Sequence, residues 1–240
     1  MHERELPVSL APPPPRRQAI RCDRRFAVTI EENLRTVRQR IERAGGNPSE
    51  IKIVAVTKGF GPEVCRQAIA TGLKTLGENR VQEALQKMDA VDGAEWHLLG
   101  HLQTNKVRHA AGRFTLIQSV DSSRIAEAIA AIDAAQPVLV EVNVAHETQK
   151  TGVDPTRAAS MIDEVAEMLD LRGLMAMGPT SGDPTTAFTE LRTLRDDAEQ
   201  RLGKALPILS MGMSGDFEAA VKAGSTMLRL GEALFGPRPA

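Results

Sequence analysis

The chain contains no tyrosine and a single tryptophan, Trp96, in 240 residues. A tyrosine phenol is therefore excluded from any acid–base work it does. Cysteine is nearly as scarce. Cys22 and Cys65 share no motif spacing, and two cysteines in so long a chain are no disulfide framework. A reducing cytoplasm is the expected compartment. Cys65 falls inside a helical pattern and reads as a small hydrophobe. No stretch approaches the ~20 apolar residues of a membrane span. The first 25 residues have charges but no apolar h-region, which excludes a secretory signal. The formal net charge is −1, so nothing argues for a nucleic-acid or acidic-membrane partner.

What is present begins with Pro12 to Pro15, followed by Arg16 and Arg17. Residues 1–25 read as a disordered, polyproline-like tail, with a proline-rich ligand for a partner domain as the alternative. Residues 26–240 read as one domain. From Phe26 to Ala44, apolar residues recur at helical spacing (Ile30, Leu34, Val37, Ile41), and Gly45-Gly46 stops the helix. Short apolar runs then alternate with longer amphipathic segments. The runs are 51–57, 73–77, 96–99, 114–120, 138–142, 171–177, 207–211 and 226–230. Pro62 opens a helix that Gly72 closes, Ser122 begins another that Pro137 ends, and Asp154-Pro155 and Asp183-Pro184 open two more.

Strands alternating with helices imply a parallel sheet with right-handed crossovers. Eight such units predict a (β/α)8 TIM barrel with one extra N-terminal helix. A doubly wound open sheet would carry a glycine fingerprint in its first turn, and "TKGFGPE" lacks one.

Barrel chemistry sits at the C-terminal ends of the strands. The first apolar run stops at Lys58, an expensive side chain to bury. It either pairs with Glu78 or Glu141, snorkels to solvent, or traps a carbonyl. A lysine in a desolvated pocket has a lowered pKa, and its neutral amine can attack an aldehyde to form an imine. Strands two and three end near Asn79 and His101. Strands seven and eight end in short glycine-containing turns before helix starts: Gly212 with Ser214, and Gly231 with Glu232. Loops after strands seven and eight of a barrel frequently hold phosphate. Alone, each pair of residues reads as a tight turn; together they point to a phosphate site. A phosphate-bearing aldehyde anchored there would reach Lys58. Pyridoxal 5'-phosphate (PLP) and an aldolase's sugar phosphate both fit. Arg229, on strand eight, would face the pyridine nitrogen of PLP if it points inward. Arginine cannot accept a proton, so the nitrogen would stay neutral and the electron sink weak. The alternative is an arginine paired with a core carboxylate. "HLLGH", from His97 to His101, has metal-like spacing but lies on a strand and its turn, and no metal is expected.

Several motifs together resemble the pyridoxal phosphate homeostasis proteins: "VAVTK", "GENRVQEAL", "WHLLGHLQTNKVR", "SVDS", "VLVEVNVAHETQKTGV", "LRGLMAM" and "LSMGMSGDFEAAVKAGSTMLRLGEALFG". The resemblance covers about residues 34–236. It implies a barrel like the alanine racemase N-terminal domain, with PLP held by Lys58 as a Schiff base. It implies phosphate contacts from Ser210 to Ser214, Gly231 and Glu232, with Arg229 at the pyridine nitrogen and Asn79 beside the ring. His101 completes the cofactor-binding set as a polar residue at the barrel mouth. Glu232 departs from the family pattern, standing where a small hydroxyl residue often helps with phosphate. The implied function is buffering and delivery of PLP, with apo PLP-dependent enzymes as partners, no established catalysis and a monomeric state. A PLP-dependent amino-acid racemase is the alternative. Such an enzyme needs two bases, usually a lysine and a tyrosine from a second domain. Here tyrosine is absent, and the sequence ends soon after the last strand.

Overall fold

The computed structural model describes residues 29–237. The tail expected at residues 1–25 lies outside them, as does Phe26, where the expected first helical pattern begins. Eight parallel strands close into a barrel in sequence order. They are β1 Lys52–Val56, β2 Thr75–Glu78, β3 Glu95–Leu98, β4 Leu116–Val120, β5 Pro137–Glu141, β6 Asp170–Met175, β7 Ile208–Ser210 and β8 Met227–Leu230. β1 closes on β8 with Lys52 opposite Met227 and Ala55 opposite Leu230. Each strand falls within two residues of an apolar run read from the sequence.

The helices are α1 Ile30–Arg43, α2 Pro62–Ala70, α3 Val81–Met88, α4 Val107–Ala110, α5 Ser123–Ala130, α6 Pro155–Met168, α7 Thr185–Leu202, α8 Phe217–Lys222 and α9 Glu232–Phe235. Local chemistry sets their ends. Thr29 and Glu32 form a reciprocal capping box on α1. Pro62 and Pro155 occupy the first turns of α2 and α6, where a missing N–H costs nothing. One stop signal differs from expectation. α5 ends at Ala130, and Pro137 instead opens β5, where a first strand residue can lack an N–H.

α1 buries Leu34, Val37 and Ile41, each contributing about 1.5–3 kcal/mol. It lies against the last two helices: Asn33 Nδ2 donates to the Leu234 carbonyl at 2.9 Å, and Arg40 pairs with Glu218 at 2.6 Å. The extra helix thus braces the chain segment that follows β7 and β8. The main core lies between the barrel and the helices, while Val54, Leu116, Leu139, Met175 and Met227 fill the barrel interior.

His97 shares that interior. It is 2 % exposed, with its Nδ1 2.9 Å from Gln118 Nε2. Burial, helped by the Lys52 charge and opposed by Glu95, pulls its pKa from 6.5 down to about 3. The depressed group contributes stability that is present above its unfolded pKa of about 6.5 and lost as pH falls towards 3. At pH 5 that loss is about 2 kcal/mol. Thermal melts at pH 7 and pH 5 should show a larger drop for the wild type than for His97→Asn. Parallel behaviour of the two proteins would contradict the assignment.

Candidate functional site

At the C-terminal mouth of the barrel is a cavity of about 340 Å³. Small-molecule pockets run from about 300 to 1,000 Å³. Lys58, Asn79, Ser214, Arg229, Gly231 and Glu232 line it, with Phe60, Leu99, Met175, Met177 and Met213 among the apolar walls. Six of the nine sequence candidates therefore converge on one space.

The turn after β1 carries Lys58. Both neighbours of that lysine are anchored to α3. Lys87 Nζ donates to the Thr57 carbonyl at 2.8 Å, and Glu83 accepts from the Gly59 N–H at 2.7 Å. Lys87 also pairs with Glu78 at 2.6 Å and Glu83 at 2.8 Å. Thr57 Oγ1 donates to the same Glu78 oxygen at 2.5 Å. Burial alone would lower the Lys87 pKa, but its bonds to Glu78 and Glu83 outweigh that and hold it above its ordinary value. The sequence offered Glu78 and Glu141 as ion partners for Lys58. Glu78 pairs with Lys87, and Glu141 accepts from Thr151 at 2.7 Å. Burial pushes the Glu141 carboxyl up.

Across the mouth, the turn after β7 and the start of α9 meet. The Ala233 N–H donates to Ser214 Oγ at 3.0 Å, leaving that hydroxyl's own proton for an acceptor in the cavity. Met213 N–H is held by Asp216 Oδ1 at 2.5 Å. Phe60 and Phe235 pack with ring centroids 5.4 Å apart, tying the Lys58 loop to α9. Glu232 is exposed at the rim.

Arg229 reaches the cavity from its floor. It is 5 % exposed, and its guanidinium donates to Ser210 Oγ at 2.8 Å and the Ala176 carbonyl at 2.7 Å. Burial draws its pKa down to about 10, against the charges of Glu141 and Asp216, so it remains a cation at neutral pH. No core carboxylate hydrogen-bonds to it among the described residues.

Three candidates stand outside the lining. Ser210 is buried behind Arg229 and bonds to it. Gly212 has φ +96°, and a Cβ there would come within 2.7 Å of the Ala220 Cβ, so this glycine lets α8 pack on the end of β7. His101 lies at the rim beside Asn79 and meets Asp121 at 2.7 Å. Gly100 allows that approach: a Cβ would lie 2.3 Å from the Asn79 carbonyl oxygen. The "HLLGH" histidines do not converge, because His97 bonds inside the barrel and His101 bonds at its mouth. Among the described residues, no group of three or more His, Cys, Asp or Glu side chains could hold a metal ion. No helix there is long and apolar enough to cross a membrane.

The alanine racemase N-terminal domain family matches residues 28–239. A pyridoxal phosphate homeostasis protein of Aquifex aeolicus is 40% identical over 216 residues, covering 85% of this chain and 95% of that one. The chain belongs to the pyridoxal phosphate homeostasis protein family. Its Escherichia coli K12 relative is 37% identical over 227 residues, covering 87% of this chain and 97% of that one. Among solved structures, PipY of Synechococcus elongatus with PLP bound superposes with TM-score 0.75 at 32% identity, covering 87% of this chain and all (100%) of that one. Alanine racemase from Corynebacterium glutamicum shares the fold: TM-score 0.72 at 19% identity, covering 88% of this chain and 61% of that one.

Proposed function

We propose that this family member binds PLP in the mouth cavity and serves intracellular PLP homeostasis, buffering and delivering the cofactor. One arrangement carries the reading: Lys58 on one side of the cavity, the Ser214 and Gly231 turns on another, and the buried Arg229 cation at the floor. The donor set suits the group. Lys58 supplies the amine that bonds the aldehyde carbon with loss of water. The Ser214 hydroxyl and the backbone around Gly231 and Glu232 suit phosphate, with the exposed Glu232 carboxylate turned to solvent. Arg229 suits the pyridine nitrogen, and the methionine and phenylalanine walls keep water from the ring. Asn79 stands beside the cofactor in the cavity, and His101 lies next to it at the rim, outside the lining.

PLP can act as an electron sink for carbanion chemistry at an amino-acid α-carbon. This chain supports little of that. Arg229 keeps its proton and hands none to the ring, which weakens the sink. The chain has no tyrosine to serve as a second base. We therefore read the protein as a non-catalytic holder, with weak racemase activity as the alternative. Apo PLP-dependent enzymes are the proposed recipients. A monomer is supported by the described surface, where Ile132 and Met213 are the exposed large hydrophobics. The sparse cysteines support a cytoplasmic setting.

Titration of the purified chain with PLP should give a visible absorbance band that saturates at one equivalent per chain. An unchanged spectrum at saturating PLP defeats the reading. Incubating the loaded protein with a panel of amino acids in D2O should leave their α-hydrogens in place; exchange at useful turnover favours the racemase.

A further inference from the structure

A line of polar side chains crosses the barrel interior and ends on Arg229, on which the charges of the buried Glu141 and of Asp216 also act. Arg229 Nη1 donates to Ser210 Oγ at 2.8 Å. Ser210 Oγ donates to Gln118 Oε1 at 2.7 Å. Gln118 Nε2 lies 2.9 Å from His97 Nδ1 and 3.2 Å from Met227 Sδ. The strands involved form two neighbouring pairs, β7 with β8 and β3 with β4, on opposite sides of the barrel. The residues are 5 %, 0 %, 0 % and 2 % exposed in that order.

With Gln118 Oε1 towards Ser210 and Nε2 towards Met227, the chemistry of arginine sets a consistent direction along the line. A guanidinium only donates, so the Ser210 oxygen accepts from it and must send its own proton elsewhere. The Gln118 amide oxygen takes that proton, which leaves the amide nitrogen for Met227 and His97. His97 Nδ1 therefore accepts, and its ring proton sits on Nε2. A flipped Gln118 would set an N–H against the Ser210 hydroxyl and leave that hydroxyl's proton without this acceptor. His97 fixes the amide, the amide fixes the hydroxyl, and the hydroxyl fixes the guanidinium. Aligned bonds of this kind polarise one another. The burial of His97 keeps it neutral well below physiological pH, so Nδ1 stays an acceptor. Lys52 and Glu95 are the charged groups acting on it, and it lines a second cavity at the opposite end of the barrel.

We propose that Gln118 and His97 are positioning residues for Arg229, setting its orientation and the positive charge it presents to the pyridine nitrogen of bound PLP. The proposal rests on the PLP-binding reading above. Neither residue lines the mouth cavity. Removing the end of the line makes Ser210 a poorer acceptor, so more of the guanidinium charge faces the ring.

The test compares PLP-loaded wild type with His97→Leu, His97→Asn and Gln118→Leu. Asparagine keeps an acceptor in the Nδ1 position; leucine does not. Two readouts are taken: PLP bound per chain, and the pH midpoint of the visible absorbance. We expect all four proteins to bind one equivalent. The midpoint should fall by about half to one pH unit in His97→Leu and Gln118→Leu, and return towards wild type in His97→Asn. Loaded variants whose midpoints all match the wild type overturn the proposal, whatever their melting temperatures do. A wild type that binds no PLP overturns the site reading itself, and this proposal with it. If His97→Leu fails to fold, Gln118→Leu against His97→Asn carries the same comparison.

Discussion

Lys58→Ala should lose the visible absorbance of bound PLP and weaken retention by about 100-fold or more, ~2.7 kcal/mol or more. The contacts left are those of Arg229 and of the turns after β7 and β8, so residual binding through phosphate is expected. Lys58→Arg separates the two possible contributions of this side chain. It keeps a positive charge at the mouth but has no neutral amine at accessible pH. If Lys58 acts as a nucleophile, arginine behaves like alanine. If it acts only as a counter-charge to phosphate, arginine retains most of the affinity. Equilibrium dialysis with absorbance spectra distinguishes these outcomes, and retention of the wild-type band by either variant contradicts the role assigned to Lys58.

Lys87→Met should lower the stability of the fold by about 3–5 kcal/mol. Lys87 is 4 % exposed and has three acceptors: Glu78, Glu83 and the Thr57 carbonyl. Methionine fills the space but leaves Glu78, which is fully buried, without its cation. Glu78 Oε2 already has no hydrogen-bond partner. The double variant Lys87→Met with Glu78→Gln should recover part of the loss, because a neutral amide is cheaper to bury than an unpaired carboxylate. Denaturant melts measure both effects. The single variant should also bind PLP more weakly, because Lys87 and Glu83 hold the backbone on either side of Lys58. A loss below about 1 kcal/mol would mean that the network is relaxed by water and does not brace the turn.

Most of the fold was legible because parallel barrel strands are buried on both faces and stand out as apolar runs between capped helices. Pro137 misled because a proline marks both the end of a helix and the start of a strand. The lining of the mouth cavity was legible where chemistry-bearing residues sit at strand ends, as for Lys58, Ser214, Arg229 and Gly231. Ser210 and Gly212 were grouped with the phosphate turn, yet a strand's alternation sends Ser210 into the barrel, where it meets Arg229, while Gly212 accommodates α8. Lys87 was missed. In "VQEALQKM" it sits four residues after Glu83, a spacing that usually marks a solvent-exposed pair. Only the tertiary fold turns that helix face towards Glu78. Gln118 was missed for a similar reason. A lone glutamine inside an apolar strand carries no signal until its neighbours across the barrel, Ser210 and His97, are known.

The bond proposed between Lys58 and PLP is covalent. Borohydride reduction of the PLP-loaded protein, followed by digestion and mass spectrometry, tests it directly. One pyridoxyl group per chain is expected, on the peptide containing Lys58. Reduced cofactor on a different lysine, or no adduct on protein that binds PLP, would contradict it.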